Sequence, residues 1–461
     1  MNTDSKRLHF IAIGGAAMHN LALALHQKGY RVSGSDDEIN EPSLSRLKAA
    51  GLLPEAIGWF PEKITSELDG VILGMHARAD NPELLRAMEL SVPVYSYPEF
   101  LYVHSKDKER VVIGGSHGKT TITAMILHVL RGTGRDFDYM VGAKLDGFDT
   151  MVRLSEAPLI ILEGDEYLSS PVDRRPKFHL YKATIGLISG IAWDHINVFP
   201  TYDNYVEQFR IFANGIPESG TLIYCEADPE VKEVCTNEKI KARRIPYAVP
   251  KHRIENGITI LETAQGDFPL QVFGQHNLMN LEGARQVCQK LGVDELDFYR
   301  TISTFKGAAR RLELLRRTDD VSVFKDFAHS PSKLKATTAA VREQFPRRKL
   351  VACMELHTFS SLNEDFLNQY EGSMDEADMP IVYFNPHTIA HKKLKEITPE
   401  AVRKAFNNEK IKVYTDSAIL RKDLLAMDHH NSVFLMMSSG TFDGMNLETF
   451  AGELTQPSIH N

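Results

Sequence analysis

The chain has 461 residues, a formal net charge of -8 at neutral pH and a hydrophobic fraction of 43%. That length accommodates roughly three domains that each bury a core of their own. The acidic balance argues against a general nucleic-acid binder or a protein of membrane surfaces, because both usually carry a basic excess. We therefore expect neither nucleic acid nor membrane among the partners, and locally placed cations wherever an anionic ligand binds.

Cysteine usage and the apolar runs favour a cytoplasmic protein. The four cysteines lack a Cys-x-x-Cys pair, which favours reduced structural thiols over a zinc site. The N-terminal apolar run is too short for a signal peptide, and polar residues break the other runs well before the length of a membrane span.

The first part of the chain has the pattern of a Rossmann-like unit. Its predicted elements are a strand at His9–Ile13, a turn at Gly14 and Gly15, a helix at Met18–Lys28 and a strand at Tyr30–Gly34. Asp36 lies 22 residues after Gly14, where an acidic side chain could meet a ribose hydroxyl. Because Gly-x-Gly-x-x-Gly is absent, a general Rossmann-like domain is favoured over a dinucleotide site. Strands at Gly70–Gly74 and Val92–Tyr95 and a helix at Pro82–Leu90 continue the pattern.

Residues 110–131 have the sequence pattern that most clearly indicates a functional site. An apolar strand leads into a glycine-bearing turn, Gly118-Lys119-Thr120-Thr121, and a helix pattern follows. Glycines let backbone N–H groups surround phosphate oxygens, the helix N-terminus adds partial positive charge, and the lysine neutralises the anion. The usual first glycine is Ile113 here, so we expect a shorter loop starting from Gly114 and Gly115. A phosphate loop is favoured over a plain strand-turn-helix with a surface lysine.

Polar residues then follow several predicted strands. Leu159–Leu162 ends in Glu163-Gly164-Asp165-Glu166, where a nucleotide-bound Mg²⁺ commonly finds its protein ligand. His195 follows the strand Thr184–Ser189, and on its own it is better explained as a structural histidine. Asn277 and Asn280 share one face of a helix pattern, which suits either helix capping or recognition of a base.

From Thr318 onward strands and helices alternate again, which predicts a third α/β unit with a mostly parallel sheet. The predicted elements are Val321–Phe327, Pro331–Gln344, Lys349–Met354, Met379–Phe384, Ile411–Tyr414 and Val433–Met437. A charged connection at Ser105–Glu109 and the Lys306-Gly307 pair mark the boundaries. The predicted domains are therefore 1–107, 108–306 and 307–461.

In this order the motifs resemble those of the Mur ligase family, the ATP-dependent amide-forming enzymes of peptidoglycan synthesis. The set covers nearly the whole chain and comprises residues 115–121, Glu163-Gly164-Asp165-Glu166, Asp194-His195, Gly274-x-His276-Asn277-x-x-Asn280, Arg310-Arg311 and Asp326-Phe327-Ala328-His329-x-Pro331. The resemblance implies an α/β protein of three domains: a Rossmann-like UDP-binding domain, a central P-loop ATPase-like domain and a C-terminal Rossmann-like domain that binds the amino acid or peptide.

The resemblance also implies roles for individual residues. The implied ATP-binding residues are Gly115, Ser116, His117, Gly118, Lys119, Thr120, Thr121, Asn277, Asn280, Arg311 and Asp326, with both asparagines near the adenine. The implied Mg²⁺ ligands are Thr120, Glu163 and His195. The implied UDP-sugar-binding residues are Gly14, Gly15, Ala16, Ala17, Met18, Ser35 and Asp36. Lys119, Glu163 and His195 are the implied catalytic residues.

Segments of the chain resemble two different branches of the Mur ligase family. Asp165-Glu166-Tyr167, residues 173–178 and residues 437–444 resemble the branch that joins UDP-N-acetylmuramate to L-alanyl-γ-D-glutamyl-meso-diaminopimelate in peptidoglycan recycling. Residues 355–360 depart from the pattern of the branch that uses L-alanine, although residues 13–18 and 34–36 resemble it. The tripeptide is the favoured acceptor and L-alanine the alternative. A nucleotide-binding module or dehydrogenase based on residues 9–36 is a remote alternative, and the oligomeric state stays open.

Overall fold

The computed structural model describes residues 6–75, 77–145, 147–193, 198–307 and 312–456. The chain divides into two compact units, Met1–Val249 with Met279–Ile302, and Pro250–Leu278 with Ser303–Asn461. The predicted domain boundaries at 107/108 and 306/307 stay predictions. Among the described residues, no helix is both long enough and apolar enough to cross a membrane. All four cysteines are buried and free.

The first unit opens with a four-stranded parallel sheet in the order β2-β1-β3-β4. Its elements are β1 Arg7–Ile11, α1 Ala16–Gln27, β2 Arg31–Ser35, α2 Ser43–Ala49, a 3-10 turn Pro61–Lys63, β3 Gly70–Leu73, α3 Pro82–Glu89, β4 Val94–Ser96 and α4 Tyr97–Ser105. The strand predicted at His9–Ile13 was placed two residues late. It ends at Ile11 because Ala12 has a left-handed φ of 67° and already begins the glycine turn.

A seven-stranded sheet follows, in the order β11-β10-β9-β5-β8-β6-β7, and only β7 is antiparallel to its neighbour. Its strands are β5 Glu109–Gly114, β6 Asp138–Met140, β7 Val152–Arg153, β8 Leu159–Glu163, β9 Ile185–Ile188, β10 Thr221–Cys225 and β11 Arg243–Tyr247. The helices between them are α5 Lys119–Gly132, α6 Lys177–Leu180, α7 Tyr202–Asn214 and α8 Pro229–Cys235. The helices α9 Gln275–Lys290 and α10 Glu295–Ile302 come later in the chain.

Both sheets of the first unit share one hydrophobic core. Phe10 and Leu21 from the first sheet and its helix belong to the same buried cluster as Ile160 and Phe178. Burial of this shared apolar surface stabilises the two sheets as one body. The central strand β5 is buried on both faces, as expected of a parallel strand covered by helices, and its carboxyl end therefore lies beside those of β8 and β9.

The described residues of the second unit form two sheets. The smaller is antiparallel, with β12 His252–Glu255, β13 Ile258–Thr263 and β14 Gly266–Leu270. The larger has the order β15-β16-β20-β17-β18-β19, and only β15 is antiparallel, which agrees with the predicted mostly parallel sheet. Its strands are β15 Glu313–Arg317, β16 Val321–Asp326, β17 Lys349–Leu356, β18 Met379–Phe384, β19 Lys412–Tyr414 and β20 Ser432–Met437. The helices are α11 Pro331–Gln344, α12 Glu364–Leu367, a 3-10 turn Asn368–Tyr370, α13 Pro386–His391, α14 Pro399–Phe406, α15 Ser417–Ala426 and α16 Leu447–Leu454.

Candidate active site

A four-residue turn joins β5 to α5 at the carboxyl edge of the central sheet. Two of its residues, Gly115 and Gly118, have φ values of 137° and 78°, which side-chain-bearing residues rarely adopt. A Cβ on Gly118 would lie 2.5 Å from Oδ1 of Asn280, and one on Gly115 would collide with the Ser189 hydroxyl. Backbone conformation and close packing thus both require glycine at these two positions.

Gly118→Ala is expected to cost more stability than the same change at an open left-handed glycine. Gly29 is the control, because its φ is 92° and a Cβ there would meet nothing within 4 Å. We expect Gly29→Ala to lose about 1 kcal/mol through backbone strain, and Gly118→Ala to lose about 1–3 kcal/mol more through overpacking against Asn280. Urea unfolding measures both variants. Equal losses would contradict the packing of Asn280 against the loop.

The loop lysine is held by a buried carboxylate. Lys119 Nζ donates to the carbonyl oxygen of Gly115 at 2.5 Å and to Oε2 of Glu166 at 2.7 Å. Glu166 is only 1% exposed, and its Oε1 accepts a hydrogen bond from the Tyr205 hydroxyl at 3.2 Å. The ammonium group is therefore fixed within the turn whose backbone would surround a phosphate.

A hydroxyl and a carboxylate lie together beside this lysine. Thr120 Oγ1 donates to Glu163 Oε1 at 2.7 Å, and the Gly142 N–H donates to Oε2 at 2.8 Å. The parallel register pairs Glu163 with Ile113, which places the carboxylate at the edge from which the loop rises. These oxygen donors are hard ligands of the type that Mg²⁺ prefers.

Among the described residues, no group of three or more His, Cys, Asp or Glu side chains could hold a metal ion alone. Mg²⁺ in nucleotide sites is usually bound by one or two protein groups, phosphates and water, so Thr120 and Glu163 fit such an ion. The third predicted ligand, His195, lies outside the described residues, as does the nucleotide contact predicted at Arg311.

Residues just after β9, the strand beside β5, form hydrogen bonds with the turn between β5 and α5. This role was not predicted from the sequence. Ser116 Oγ donates to the Gly190 carbonyl at 3.2 Å and accepts from the Ala192 N–H at 2.8 Å. The Ser189 hydroxyl donates to the carbonyl of His117. A Cβ on Gly190 would overlap the His117 imidazole, so this glycine provides the space for that ring.

The predicted adenine-contacting asparagines have different surroundings. Asn280, in the first unit, is 7% exposed and its Oδ1 lies beside Gly118 of the turn between β5 and α5. Asn277, in the second unit, donates from Nδ2 to the Phe273 carbonyl at 2.9 Å. Asp326, also in the second unit, accepts from the N–H groups of Leu312 and Ala328 at 2.7 and 2.6 Å. Their proposed nucleotide contacts stay predictions.

An ion pair fixes the acidic segment that follows β8. Asp165 Oδ2 lies 2.6 Å from Lys177 Nζ, and Asp165 Oδ1 accepts from the Tyr167 N–H. Burial alone would raise the pKa of Asp165, but Lys177, with additional attraction from Lys119, holds that pKa below its usual value. Asp165 is therefore ionised at neutral pH and ties together the two ends of the segment from 165 to 177.

The glycine turn of the first sheet is closed by Asp36. The Gly14 N–H donates to Asp36 Oδ2 at 2.6 Å, and a Cβ on Gly14 would lie 2.9 Å from the same oxygen. Burial raises the pKa of Asp36, although bonds from the N–H groups of Gly14 and Glu38 oppose that rise. Asp36, which was predicted to contact a ribose, thus also stabilises the turn through its hydrogen bond with Gly14. Ser35, predicted beside it, is fully buried at the end of β2.

The other predicted UDP-sugar residues are Gly15, Ala16, Ala17 and Met18, and polar side chains of α1 contact the carbonyl groups of Gly15 and Ala16. His19 Nδ1 lies 3.0 Å from the Gly15 carbonyl, and Arg46 donates to Asn20 Oδ1 at 2.8 Å. Burial lowers the pKa of His19, and the nearby Arg46 lowers it as well, so the ring is neutral near pH 7. No role for His19, Asn20 or Arg46 was predicted from the sequence.

A glycine-bearing turn after the central strand of a mostly parallel sheet, with a lysine, a threonine and a carboxylate at one edge, is typical of α/β enzymes that bind nucleotide phosphates. The chain matches three descriptions of one family: "Mur ligase family, catalytic domain" at residues 7–109, "Mur ligase middle domain" at 113–288 and "Mur ligase, glutamate ligase domain" at 310–440. The chain belongs to the Mur ligase family.

A relative of similar length agrees with this membership, and solved structures share the fold. The UDP-N-acetylmuramate–L-alanine ligase of Sulfurihydrogenibium sp. is 30% identical over 384 residues, which are 82% of this chain and 82% of the relative. The fold is similar to a murein peptide ligase from Psychrobacter arcticus, with TM-score 0.61, 21% identity and coverage of 99% and 100% of the two chains. It is also similar to the UDP-N-acetylmuramate-alanine ligase of Thermotoga maritima, with TM-score 0.68, 19% identity and coverage of 95% and 96%.

These findings confirm three predictions made from the sequence. The protein has the three-domain α/β architecture of Mur ligases, it is an ATP-dependent amide ligase, and it acts in peptidoglycan synthesis. Mur ligases act on UDP-N-acetylmuramate-type substrates together with an amino acid or a peptide.

Proposed function

We propose that this protein joins the lactyl carboxylate of UDP-N-acetylmuramate to the α-amine of L-alanyl-γ-D-glutamyl-meso-diaminopimelate, a reaction of peptidoglycan recycling. The acceptor distinguishes this proposal from the family's general activity. The relative with 30% identity carries the name of an alanine ligase, whereas one of the solved structures with the same fold is a murein peptide ligase. L-Alanine is therefore the second candidate.

One cluster in the second unit supports the tripeptide. Glu355, which is 3% exposed, accepts hydrogen bonds from the Ser438 hydroxyl and, at 2.8 Å, from the Phe442 N–H. A Cβ on Gly440 would lie 2.7 Å from His357 Nδ1, so the turn after β20 packs closely on the end of β17. The segment that departs from the alanine-ligase pattern, residues 355–360, thus packs against residues 437–444, which resemble the tripeptide branch.

The position of this cluster supports a role in binding the acceptor. β17 and β20 are adjacent and parallel, and ligands of open α/β sheets bind at the carboxyl ends of strands. Phe442 and Asp443 both have left-handed φ values, 49° and 59°, and Glu355 holds the first of them in place. A buried carboxylate that holds one of two consecutive residues in this conformation supports a functional constraint on the shape of the turn.

The chemistry requires an activated carboxylate, because a carboxylate is a poor electrophile with a poor leaving group. In the proposed reaction a lactyl carboxylate oxygen attacks the γ-phosphorus of ATP, and ADP leaves. The peptide amine then attacks the carbonyl carbon of the acyl phosphate, inorganic phosphate departs with the bridging oxygen, and the nitrogen loses a proton. Lys119 and the backbone N–H groups at the N-terminus of α5 would bind phosphate oxygens as charge shifts among them.

Thr120 and Glu163 would hold Mg²⁺, which neutralises charge on nucleotide phosphates when it is bound. The N–H of Gly142 fixes the Glu163 carboxylate from its other oxygen, so the pair is oriented within the protein itself. This orientation reduces the reorganisation that ion binding would require.

ADP release measured with UDP-N-acetylmuramate and either acceptor tests the proposal. We expect kcat/KM to be at least about tenfold higher with the tripeptide than with L-alanine, which corresponds to about 1.4 kcal/mol of transition-state discrimination. Turnover with L-alanine alone would assign the second candidate instead. Absence of turnover with both acceptors would contradict the assignment of UDP-N-acetylmuramate as substrate.

A further inference from the structure

Glu355 is a buried carboxylate of the second unit that has no chemical role in the reaction steps above. It is the penultimate residue of β17, and its Oε2 accepts hydrogen bonds from the Ser438 hydroxyl and the Phe442 N–H. Its Oε1 accepts none from the described residues and lies 3.7 Å from Nδ1 of His357. Because an unpaired oxygen of a buried carboxylate is costly, the His357 imidazole is the group placed to donate to it.

The His357 imidazole connects this carboxylate with the surface. Its side chain is 38% exposed, whereas the side chain of Glu355 is 4% exposed. Their separation is that of an ion pair, and hydrogen bonds between catalytic groups often shorten to bonding distance when substrate binds. When Nδ1 carries the proton that Glu355 accepts, Nε2 on the far side of the ring has a lone pair. Buried carboxylates orient catalytic imidazoles in this way.

The turn after β20 leaves room for this pair. A Cβ on Gly440 would lie 2.7 Å from His357 Nδ1 and 2.9 Å from Glu355 Oε2, so a larger residue there would displace one of the two side chains. The Gly440 N–H donates to the Ser438 hydroxyl oxygen at 2.7 Å. Between these residues, the Ser439 hydroxyl is buried and has no hydrogen-bond partner within the described parts of the chain. A buried hydroxyl that the fold leaves unpaired indicates that the turn can bind a polar group of a ligand.

The position of the pair matches a step that requires a base. The nucleophile of the proposed reaction is an α-amine, and an α-amino group is mostly protonated at neutral pH. A protonated nitrogen has no lone pair with which to attack a carbonyl carbon, so a proton has to be removed. The pair lies at the carboxyl ends of the adjacent parallel strands β17 and β20, where the acceptor is proposed to bind.

We propose that His357, oriented by Glu355, is the general base that removes the proton from the α-amine of the acceptor. The proton passes to His357 Nε2 and its electron pair stays on nitrogen. That nitrogen forms the C–N bond as the bond between the carbonyl carbon and the bridging oxygen breaks and inorganic phosphate departs. Glu355 stabilises the imidazolium, which then releases the proton to water. This role rests on the proposed ligase reaction, but it is the same for the tripeptide and for L-alanine, because both attack through an α-amine.

His357→Gln in the full-length protein tests this role with ATP, UDP-N-acetylmuramate and the acceptor that the wild type prefers. We expect kcat for amide formation at neutral pH to fall at least about 10²-fold, because glutamine keeps a polar group beside Glu355 but cannot take up a proton. Glu355→Gln should slow the reaction at least about tenfold, because its amide NH2 would donate to Nδ1 and leave the imidazole proton on Nε2. His430→Gln is the matched control and should leave the rate unchanged. His430 also pairs with a carboxylate, Asp320 at 3.0 Å, but it precedes β20 and lies at the amino end of that strand.

Hydroxylamine separates the role of His357 from the phosphorylation step. This nucleophile is unprotonated at neutral pH, so it attacks an acyl phosphate without a base, and the hydroxamate product is measured as its coloured iron complex. We expect the wild type and His357→Gln to form hydroxamate at similar rates when no acceptor is added. A normal rate of amide formation in His357→Gln, or an equal loss of amide and hydroxamate, would overturn the proposal. Absence of hydroxamate from the wild type would contradict the acyl phosphate of the proposed reaction, and the role of the base would fall with it.

Discussion

Lys119→Ala is expected to lower the rate of ADP release by about 10²- to 10³-fold, because it removes a fixed positive charge from the site of phosphoryl transfer. ADP formation with UDP-N-acetylmuramate and the preferred acceptor measures the loss. Lys239→Ala is the control, since Lys239 is exposed on the same unit and its removal should leave the rate unchanged. Retained activity in Lys119→Ala would contradict the phosphate-binding role.

The same substitution leaves Glu166 buried without its cation. Glu166 is 1% exposed and Lys119 Nζ lies 2.7 Å from it, so breaking this pair is expected to cost about 3 kcal/mol of stability. Adding Glu166→Gln removes the stranded charge and should restore most of the unfolding free energy. The double variant should remain inactive, which separates a lost phosphate contact from a damaged fold. Recovery of activity in the double variant would oppose our interpretation.

Glu163→Gln is expected to slow ADP release by about 10²-fold or more and to raise the Mg²⁺ concentration needed for half-maximal rate. The amide oxygen can accept from the Gly142 N–H while the amide NH2 donates to the Thr120 hydroxyl, so the change removes mainly the negative charge. Initial rates measured against free Mg²⁺ report both effects, with Glu238→Gln as an exposed control. An unaltered Mg²⁺ dependence would exclude Glu163 as a ligand.

Local sequence patterns predicted the elements that hold the candidate site. Strand β5, the turn at Gly115–Gly118 and helix α5 follow from an apolar run, glycines and helical periodicity that all lie close together in the chain. Pro331–Gln344 and Met379–Phe384 were predicted with the observed bounds for the same reason. Glu163 was expected just after its strand, and it is in fact the last residue of β8.

Contacts between distant residues could not be predicted in this way. The partner of the loop lysine is Glu166, 47 residues away, and the partner of that carboxylate is Tyr205 on α7. Ser189 and Gly190 support the loop only because β9 lies beside β5 in the sheet. These pairs depend on which strands lie side by side in the folded chain. A single sequence without homologues does not show that order.

One missed element did have a local signal. The hairpin between β12 and β13 turns at Asn256-Gly257, where both residues have left-handed φ values of 51° and 72°. Asn-Gly is the preferred dipeptide for a two-residue turn of this kind. The flanking strands are short and mostly polar, so their pattern was too weak to indicate a sheet.

Oxygen transfer from the carboxylate to phosphate tests the central claim most directly. UDP-N-acetylmuramate with both lactyl carboxylate oxygens replaced by ¹⁸O is incubated with ATP and the tripeptide, and the inorganic phosphate is analysed by mass spectrometry. An acyl phosphate passes its bridging oxygen to the departing phosphate, so we predict one ¹⁸O atom in each phosphate formed. Amide product accompanied by unlabelled phosphate would contradict carboxylate phosphorylation at this site.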